Sequence, residues 1–361
     1  MKKLLLIILA SIIFLSSCNM DATSGIFQSA MNSQKIVTEP IEQIIKMDTI
    51  SILFTSSKGI YKFDKDGYSA VYSNNNGVNA GNGIFDATTG DIYFTSSVVE
   101  NSTPIFRFHK WSKNNLETFS DFGLTTEQKI LRVVDQDTIF INDETESAKK
   151  VFIAKLDTTV NKIVPITGKE ISYPSSAEGF NNVGVKMIGD NLIMFFYFNT
   201  NDPITYRYYF VDSAKNILAV DPEFKAQITG AYLNADGTWI ATSVKDSKLT
   251  INNFKSDAGG YKLDSSFDTE VAYSDRDMVI GKLGDDYFFH QAGANNVHYF
   301  KYDGSKTTIN TTNYTNFSSA VDFVSILPNG TKMIVATTQN GFYELTSLTA
   351  NDGFKRIDTL N

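Results

Sequence analysis

The amino-acid sequence predicts an all-β fold, a β-propeller of about seven four-stranded blades, and three observations lead there. Aromatic residues make up 13% of the 361 residues, nearly all Phe and Tyr, while Asn, Thr, Ser and Asp crowd the gaps between short apolar runs. Aromatic and β-branched side chains pack well on a pleated surface, and Asn, Asp and Gly tolerate the positive φ of tight turns. Helical periodicity is nearly absent. Finally, the chain repeats itself: a turn signal, a short apolar strand, a polar loop, an aromatic strand and another turn.

The clearest copies of this unit cover residues 50–67, 90–97, 235–243, 284–290 and 329–345, with weaker ones at 136–142 and 189–196. Strand centres at Leu53, Tyr93, Phe140, Ile193, Ile240, Phe288 and Val335 are spaced by 40, 47, 53, 47, 48 and 47 residues. Periods of about 40–50 built from several short strands mark a propeller with one four-stranded sheet per repeat. The second copy shows the room available, with strands expected near Gly83–Ala87, Asp91–Ser96, Pro104–Trp111 and Leu116–Ser120. A ring must close, because open first and last sheets would expose long edges. The C-terminal run Phe354–Leu360 is expected to share a blade with Ile41–Tyr72 or to complete the last one. Six or eight blades also fit the spacing, and a pair of β-sandwiches is the competing all-β arrangement.

Within the copies, Thr55-Ser56-Ser57-Lys58-Gly59-Ile60-Tyr61-Lys62-Phe63-Asp64 fits a strand ending on Thr or Ser that continues Gly-Ile-Tyr-x-Phe-Asp, and Thr337 to Leu345 fits it in part. This resembles the repeats of bacterial sensor and BNR-like propeller proteins, thinly over residues 45–360. The resemblance implies a fold and no activity, since propellers host hydrolases, lyases and binding scaffolds alike. Sialidases of that architecture carry Ser-x-Asp-x-Gly-x-Thr-Trp boxes. The run Asn234-Ala235-Asp236-Gly237-Thr238-Trp239 lacks the spacer between Gly and Thr, and no Arg-Ile-Pro segment occurs. The outer-membrane assembly lipoprotein matches the outline, but its Ala-x-Asp, Thr-Gly and Trp pattern is not found.

The N-terminus reads differently from the repeats. Lys2 and Lys3 precede an apolar run from Leu4 to Leu15, the pattern of a cleaved export signal and too short to span a bilayer comfortably. Leu15-Ser16-Ser17-Cys18 resembles the lipobox of bacterial lipoproteins. That resemblance implies lipid transfer to the Cys18 thiol, cleavage before Cys18 and acylation of the new amine, so that 1–17 is a leader. Cys18 is the sole cysteine, which excludes a disulfide within the chain. Asn19 stands where inner-membrane retention usually has Asp, which leans towards the outer membrane. Residues 18–40 are polar and patternless and read as a tether, leaving 41–361 as the propeller.

Losing Lys2 and Lys3 with the leader takes the formal charge from −8 to −10. An acidic surface argues against nucleic acid as a partner. No later apolar stretch approaches the roughly 18 residues of a membrane helix, so contact with the membrane is expected through the lipid on Cys18.

Candidate chemistry is sparse. His109, His290 and His298 are the only histidines; the last two flank the turn at Gly293–Asn296 and could face each other near Asp285 and Asp286 to hold a metal. Without a three-His cluster or His-Glu-x-x-His, no metal and no other cofactor is assigned. No Gly-x-Ser-x-Gly elbow occurs, so no catalytic residue is assigned either. The carboxylate pairs Asp64/Asp66, Asp135/Asp137, Asp275/Asp277 and Asp285/Asp286 lie where β-turns call for Asp. Asp64 to Gly67 starts like a calcium loop but has no distal Glu in register and reads as a hairpin turn.

The least ordinary segment is aromatic: 195–198 and 206–210 flank the turn Asn199–Pro203 and pair as a hairpin. Alternation sets Tyr206, Tyr208 and Phe210 on one face and Arg207 and Tyr209 on the other. Packing between blades is the plain reading. The sharper one is an aromatic edge with Arg207 for a glycan or protein contact. Trp111, beside His109 and Lys110, is a second surface candidate. The function expected is binding or scaffolding of a protein or glycan partner at the cell envelope; the competing reading is a hydrolase or lyase acting on a glycan in the axial funnel.

Overall fold

The computed structural model describes residues 40–360 apart from 49, 74–79, 101–102, 120, 126, 146–148, 174–179, 188–192, 200–204, 213, 274–277, 291–295, 303–307, 315–321, 330–331 and 339–340. The expected leader at 1–17, Cys18 and residues 19–39 of the expected tether lie outside the described residues, as do Asp275 and Asp277.

The described strands form seven four-stranded sheets, each a meander of four strands consecutive in sequence. Their first strands are Ile41–Met47, Gly83–Phe85, Gln128–Asp135, Phe180–Met187, Ile228–Leu233, Gly281–Leu283 and Phe323–Asn329. The first strands of the seventh, first, second, third and fourth sheets lie beside one another in that order. Lys186 of the fourth reaches the Ile228 carbonyl of the fifth. Gly230 abuts Ile280 beside the sixth and Gly281 abuts Ile326 of the seventh, so the seven form the inner wall of a closed ring. The fold is a β-propeller. In the second sheet the strands Gly83–Phe85, Ile92–Glu100, Thr103–Ser112 and Asn115–Phe119 overlap the four expected there.

Apolar residues alternate along the strands and cover both faces of each sheet, as stacking in a ring requires. Seven clusters result, one at each junction between neighbouring sheets. Ile52, Phe54 and Phe63 of the first sheet meet Ile334, Ala336 and Phe342 of the seventh. Leu53 and Ile60 meet Ile92 and Phe94 on the other side of the first sheet. At the junction of the fourth and fifth sheets, Tyr206, Tyr208 and Phe210 pack with Phe224, Trp239 and Phe254. There Trp239 stacks on Phe254 at 4.4 Å and meets Phe210 edge-on at 4.2 Å.

The C-terminal run takes the second of its two expected places. Phe354–Ile357 completes the seventh sheet by pairing with Gly341–Leu345. Leu360 then donates its N–H to the Asp64 carbonyl of the first sheet at 3.0 Å and buries its side chain in the closing cluster. Asp64 to Gly67 is the expected hairpin turn, with Asp64 paired to Gly67 and a φ of 92° at Gly67 that favours glycine.

Candidate functional site

Five of the seven inner strands, those of the first, third, fifth, sixth and seventh sheets, line a cavity of about 710 Å³ from their middles towards their first hairpin turns. Gln43, Lys46, Arg132, Asn234, Lys282 and Ser325 supply its polar lining among Ile, Leu, Val and Tyr side chains. Close approach at the axis restricts side-chain size. A Cβ on Gly230 would sit 2.8 Å from the Met278 carbonyl oxygen of the next sheet, so glycine is required there.

Gln43 ties three inner strands together. Its Nε2 donates to the carbonyls of Gly83 at 3.3 Å and Val133 at 3.0 Å, and its Oε1 accepts from the Gly83 N–H at 2.9 Å. A register shift between Ile41 and Gln43 breaks the pairing with the second strand at this point. Such a bulge re-aims a side chain, here across the strand tops.

The three cations of the lining differ in their surroundings. Lys46 pairs with Asp48 at 3.2 Å and lies 4.6 Å from the centre of the Phe85 ring. Lys282 lies 4.8 Å from the centre of the Tyr287 ring. Arg132 stands opposite Phe140 in the ladder and so projects towards the fourth sheet. Its Nε is buried without a hydrogen-bond partner, and burial lowers its pKa.

Carboxylates stand at the turns that follow the lining segments: Asp48, Asp135, Asp236 and Asp285. Three of them serve their own turns. Asp48 accepts from the N–H groups of Ile50 and Ser51, Asp135 from that of Asp137, and Asp236 from Thr238. The bond from Ile50 is the main reason the Asp48 pKa is lowered, and the Thr238 hydroxyl the main reason for Asp236.

The residues singled out in the sequence are distributed over two separate sheets. His109 and Trp111 belong to the third strand of the second sheet, whereas Tyr206 to Tyr209 belong to the third strand of the fourth. His109 is 0% exposed, and Tyr206 and Tyr208 are buried, which corrects their placement on a contact surface. The reason is stacking: a strand face that would meet water in an open sheet meets the next blade in a ring.

Tyr206 and Tyr208 stack at 5.9 Å, and the Tyr208 hydroxyl donates to the Ala226 carbonyl and accepts from the Ile228 N–H, both at 2.8 Å. Arg207 and Tyr209 take the opposite face and are half-buried, as alternation predicts. Trp111 is half-buried against Tyr72 at 5.1 Å.

His109 holds one unforeseen contact. Ser96 Oγ lies 2.6 Å from its Nε2, and Thr118 Oγ1 lies 3.0 Å from its Nδ1. A serine beside a histidine is the opening of a nucleophilic site, but Ser96 is buried, at 3% exposure. Burial, helped by the charge of Arg107, lowers the His109 pKa to about 4. The imidazole is neutral at pH 7 and structural.

The pairing of His290 with His298 is also corrected. Phe289 stands opposite His298 and Val297 opposite His290, so the two imidazoles leave opposite faces of their hairpin. No group of three metal-ligating side chains occurs among the described residues.

No protein-family model and no curated protein sequence matches the chain. Solved structures do resemble it. KlAtg21, in complex with the coiled coil of AgAtg16, is 13% identical, with 89% of this chain and 96% of that one aligned at a TM-score of 0.53. KlHsv2, bearing a Gly-Ser linker in place of its loop 6CD, is 13% identical over 85% of this chain and 92% of that one, with a TM-score of 0.50. A Bacteroides uniformis protein described as a 6-phosphogluconolactonase is 12% identical over 86% and 95% of the two chains, at 0.49. At such identities the likeness is one of fold.

Proposed function

We propose that this chain is a lipid-anchored module of the cell envelope that binds or scaffolds a protein or glycan partner, held to the membrane through lipid on Cys18. The observation that carries the binding reading is the axial cavity, a concave site of ligand size whose polar lining is cationic and amidic. A glycan hydrolase or lyase in the same funnel would need two carboxyl groups facing it. The described lining offers Lys46, Arg132 and Lys282 instead, which favours capture over bond cleavage. The fold that in KlAtg21 meets a coiled coil supports a protein partner. The anchor rests on Leu15 to Cys18 alone.

Metabolic labelling with a fatty acid tests the anchor. The wild-type chain should take up label and sediment with membranes, and Cys18→Ala should do neither. Unchanged sedimentation of Cys18→Ala would end the lipoprotein reading. Crosslinking in intact cells tests the partner: a defined adduct through residues at the cavity mouth is expected, and adducts restricted to the outer edges of the ring would argue against it.

A further inference from the structure

We infer that the axial cavity is a carboxylate-binding site with the Arg132 guanidinium as its anchor. This goes beyond the proposed function and holds whether or not Cys18 carries lipid.

Arg132 is an uncommon residue in its setting. It sits in the strand Gln128–Asp135 among Ile130, Leu131, Val133 and Val134, its Nε is covered, and no described residue forms a hydrogen bond or ion pair with it. Arg132 is half-buried, and a charge set among apolar side chains without a partner is costly. The long lysines of the outer edges, by contrast, reach carboxylates wherever these stand opposite. A guanidinium held back from protein partners at a cavity wall keeps its two terminal nitrogens available to a ligand, and they match a carboxylate in two parallel hydrogen bonds. Lys282, also in the wall and without an ion pair among the described residues, adds positive potential, as does Lys46 at the far side of its bond to Asp48.

The mouth narrows the ligand class. Asp48, Asp135, Asp236 and Asp285 stand on the turns that follow the lining segments. Like charges at an opening repel polyanions, so nucleic acid and sulfated glycans are disfavoured. A ligand with a single carboxylate and an otherwise neutral or cationic body passes that collar and meets Arg132. The Ile, Leu and Val side chains of the wall suit an apolar remainder, and about 710 Å³ falls within the usual range of small-molecule sites. The chemistry is that of an acylated amino acid or a peptide C-terminus.

Thermal unfolding of the full-length protein in detergent tests this with N-acetylleucine, N-acetylleucinamide, glycerol phosphate and heparin as probes. N-acetylleucine should raise the Tm in a concentration-dependent way, whereas the neutral amide and heparin should not. Arg132→Gln should weaken the response about ten- to a hundredfold, as loss of a charged hydrogen bond implies, and Arg132→Lys should keep part of it. Without ligand, Arg132→Gln should melt at or above the wild-type Tm, because it removes a half-buried charge that has no protein partner.

An equal response to acid and amide, no response to the acid, or an unaltered response in Arg132→Gln would overturn the site. A larger effect of glycerol phosphate would overturn the carboxylate assignment. A clear loss of ligand-free stability in both variants would make Arg132 a structural residue. Acylation of Cys18 enters none of these readings, so failure here and failure of the anchor are told apart.

Discussion

The inner and outer edges of the ring use the same residue types to opposite ends. On the outer edge of the fifth sheet, Lys245 reaches Asp268 at 2.8 Å, Lys248 reaches Glu270 at 2.6 Å and Lys255 pairs with Asp264. The outermost strand, Gly260–Ala272, alternates between covered and exposed residues and spends its charges on its neighbour. At the inner edge, Arg132 and Lys282 border a cavity without such partners among the described residues, and the strands are joined by an amide, Gln43. The difference is one of water. Exposed ion pairs are screened and cost little to make or lose, so the outer edge is tolerant. A covered wall is not, and each unpaired group there calls for an explanation.

The sharpest way to break this contrast is Gln43→Ala. It removes three hydrogen bonds and leaves the Gly83 N–H and two carbonyls unpaired, at a cost of about 3 kcal/mol. Chemical denaturation measures it, and a loss below about 1 kcal/mol would mean that packing alone closes the ring. Gly230→Ala comes next at about 2 kcal/mol, since a Cβ there meets backbone of the next sheet. Gly237→Ala, at a turn with open space but a φ of 84°, separates crowding from backbone strain.

Between the two edges lies His109, and pH probes it. The free imidazole takes a proton near pH 6.5, whereas His109 in the fold resists until about pH 4. The unfolded chain therefore binds the extra proton in that window. The stability contribution is fully present above pH 6.5 and falls as pH drops towards 4, by on the order of 2–3 kcal/mol. Urea midpoints for wild type and His109→Gln should converge across that range. Parallel curves would show that His109 is not the group responsible.

The smallest effects belong to the outer edge. Lys245→Ala, Lys248→Ala and Lys255→Ala should each cost under about 1 kcal/mol, and high salt should erase the difference. A larger, salt-resistant loss in any of them would show that the outer strand is held as firmly as the inner wall.

Local pattern made much of this molecule legible. Turn residues at regular spacing, with strands of alternating character between them, specify consecutive hairpins, and seven copies of a four-strand unit correspond to seven sheets. The aromatic hairpin pairs as its turn dictates, Ile193 to Asn199 against Thr205 to Val211. The Leu15-to-Cys18 run, from which the anchor is proposed, is likewise a property of adjacent residues.

Contacts across the ring were not legible. Period-two alternation states which residues share a face and is silent on what covers that face. Tyr206 and Tyr208 fitted both packing between blades and an aromatic edge, and the neighbouring blades decided for packing; His109 is enclosed in the same way. A single residue of register sends His290 and His298 to opposite faces, and spacing along the chain does not carry that register. Arg132 passed as one arginine among five, although its place inside an apolar strand was the available signal. Its significance depends on seven strands from distant parts of the chain meeting at one axis. The sequence by itself determined the repeat, the hairpins and the lipobox-like motif, because each is written in neighbouring residues. The tertiary structure decided which side chains meet water, packing or the cavity, because that follows from which sheets the ring sets side by side.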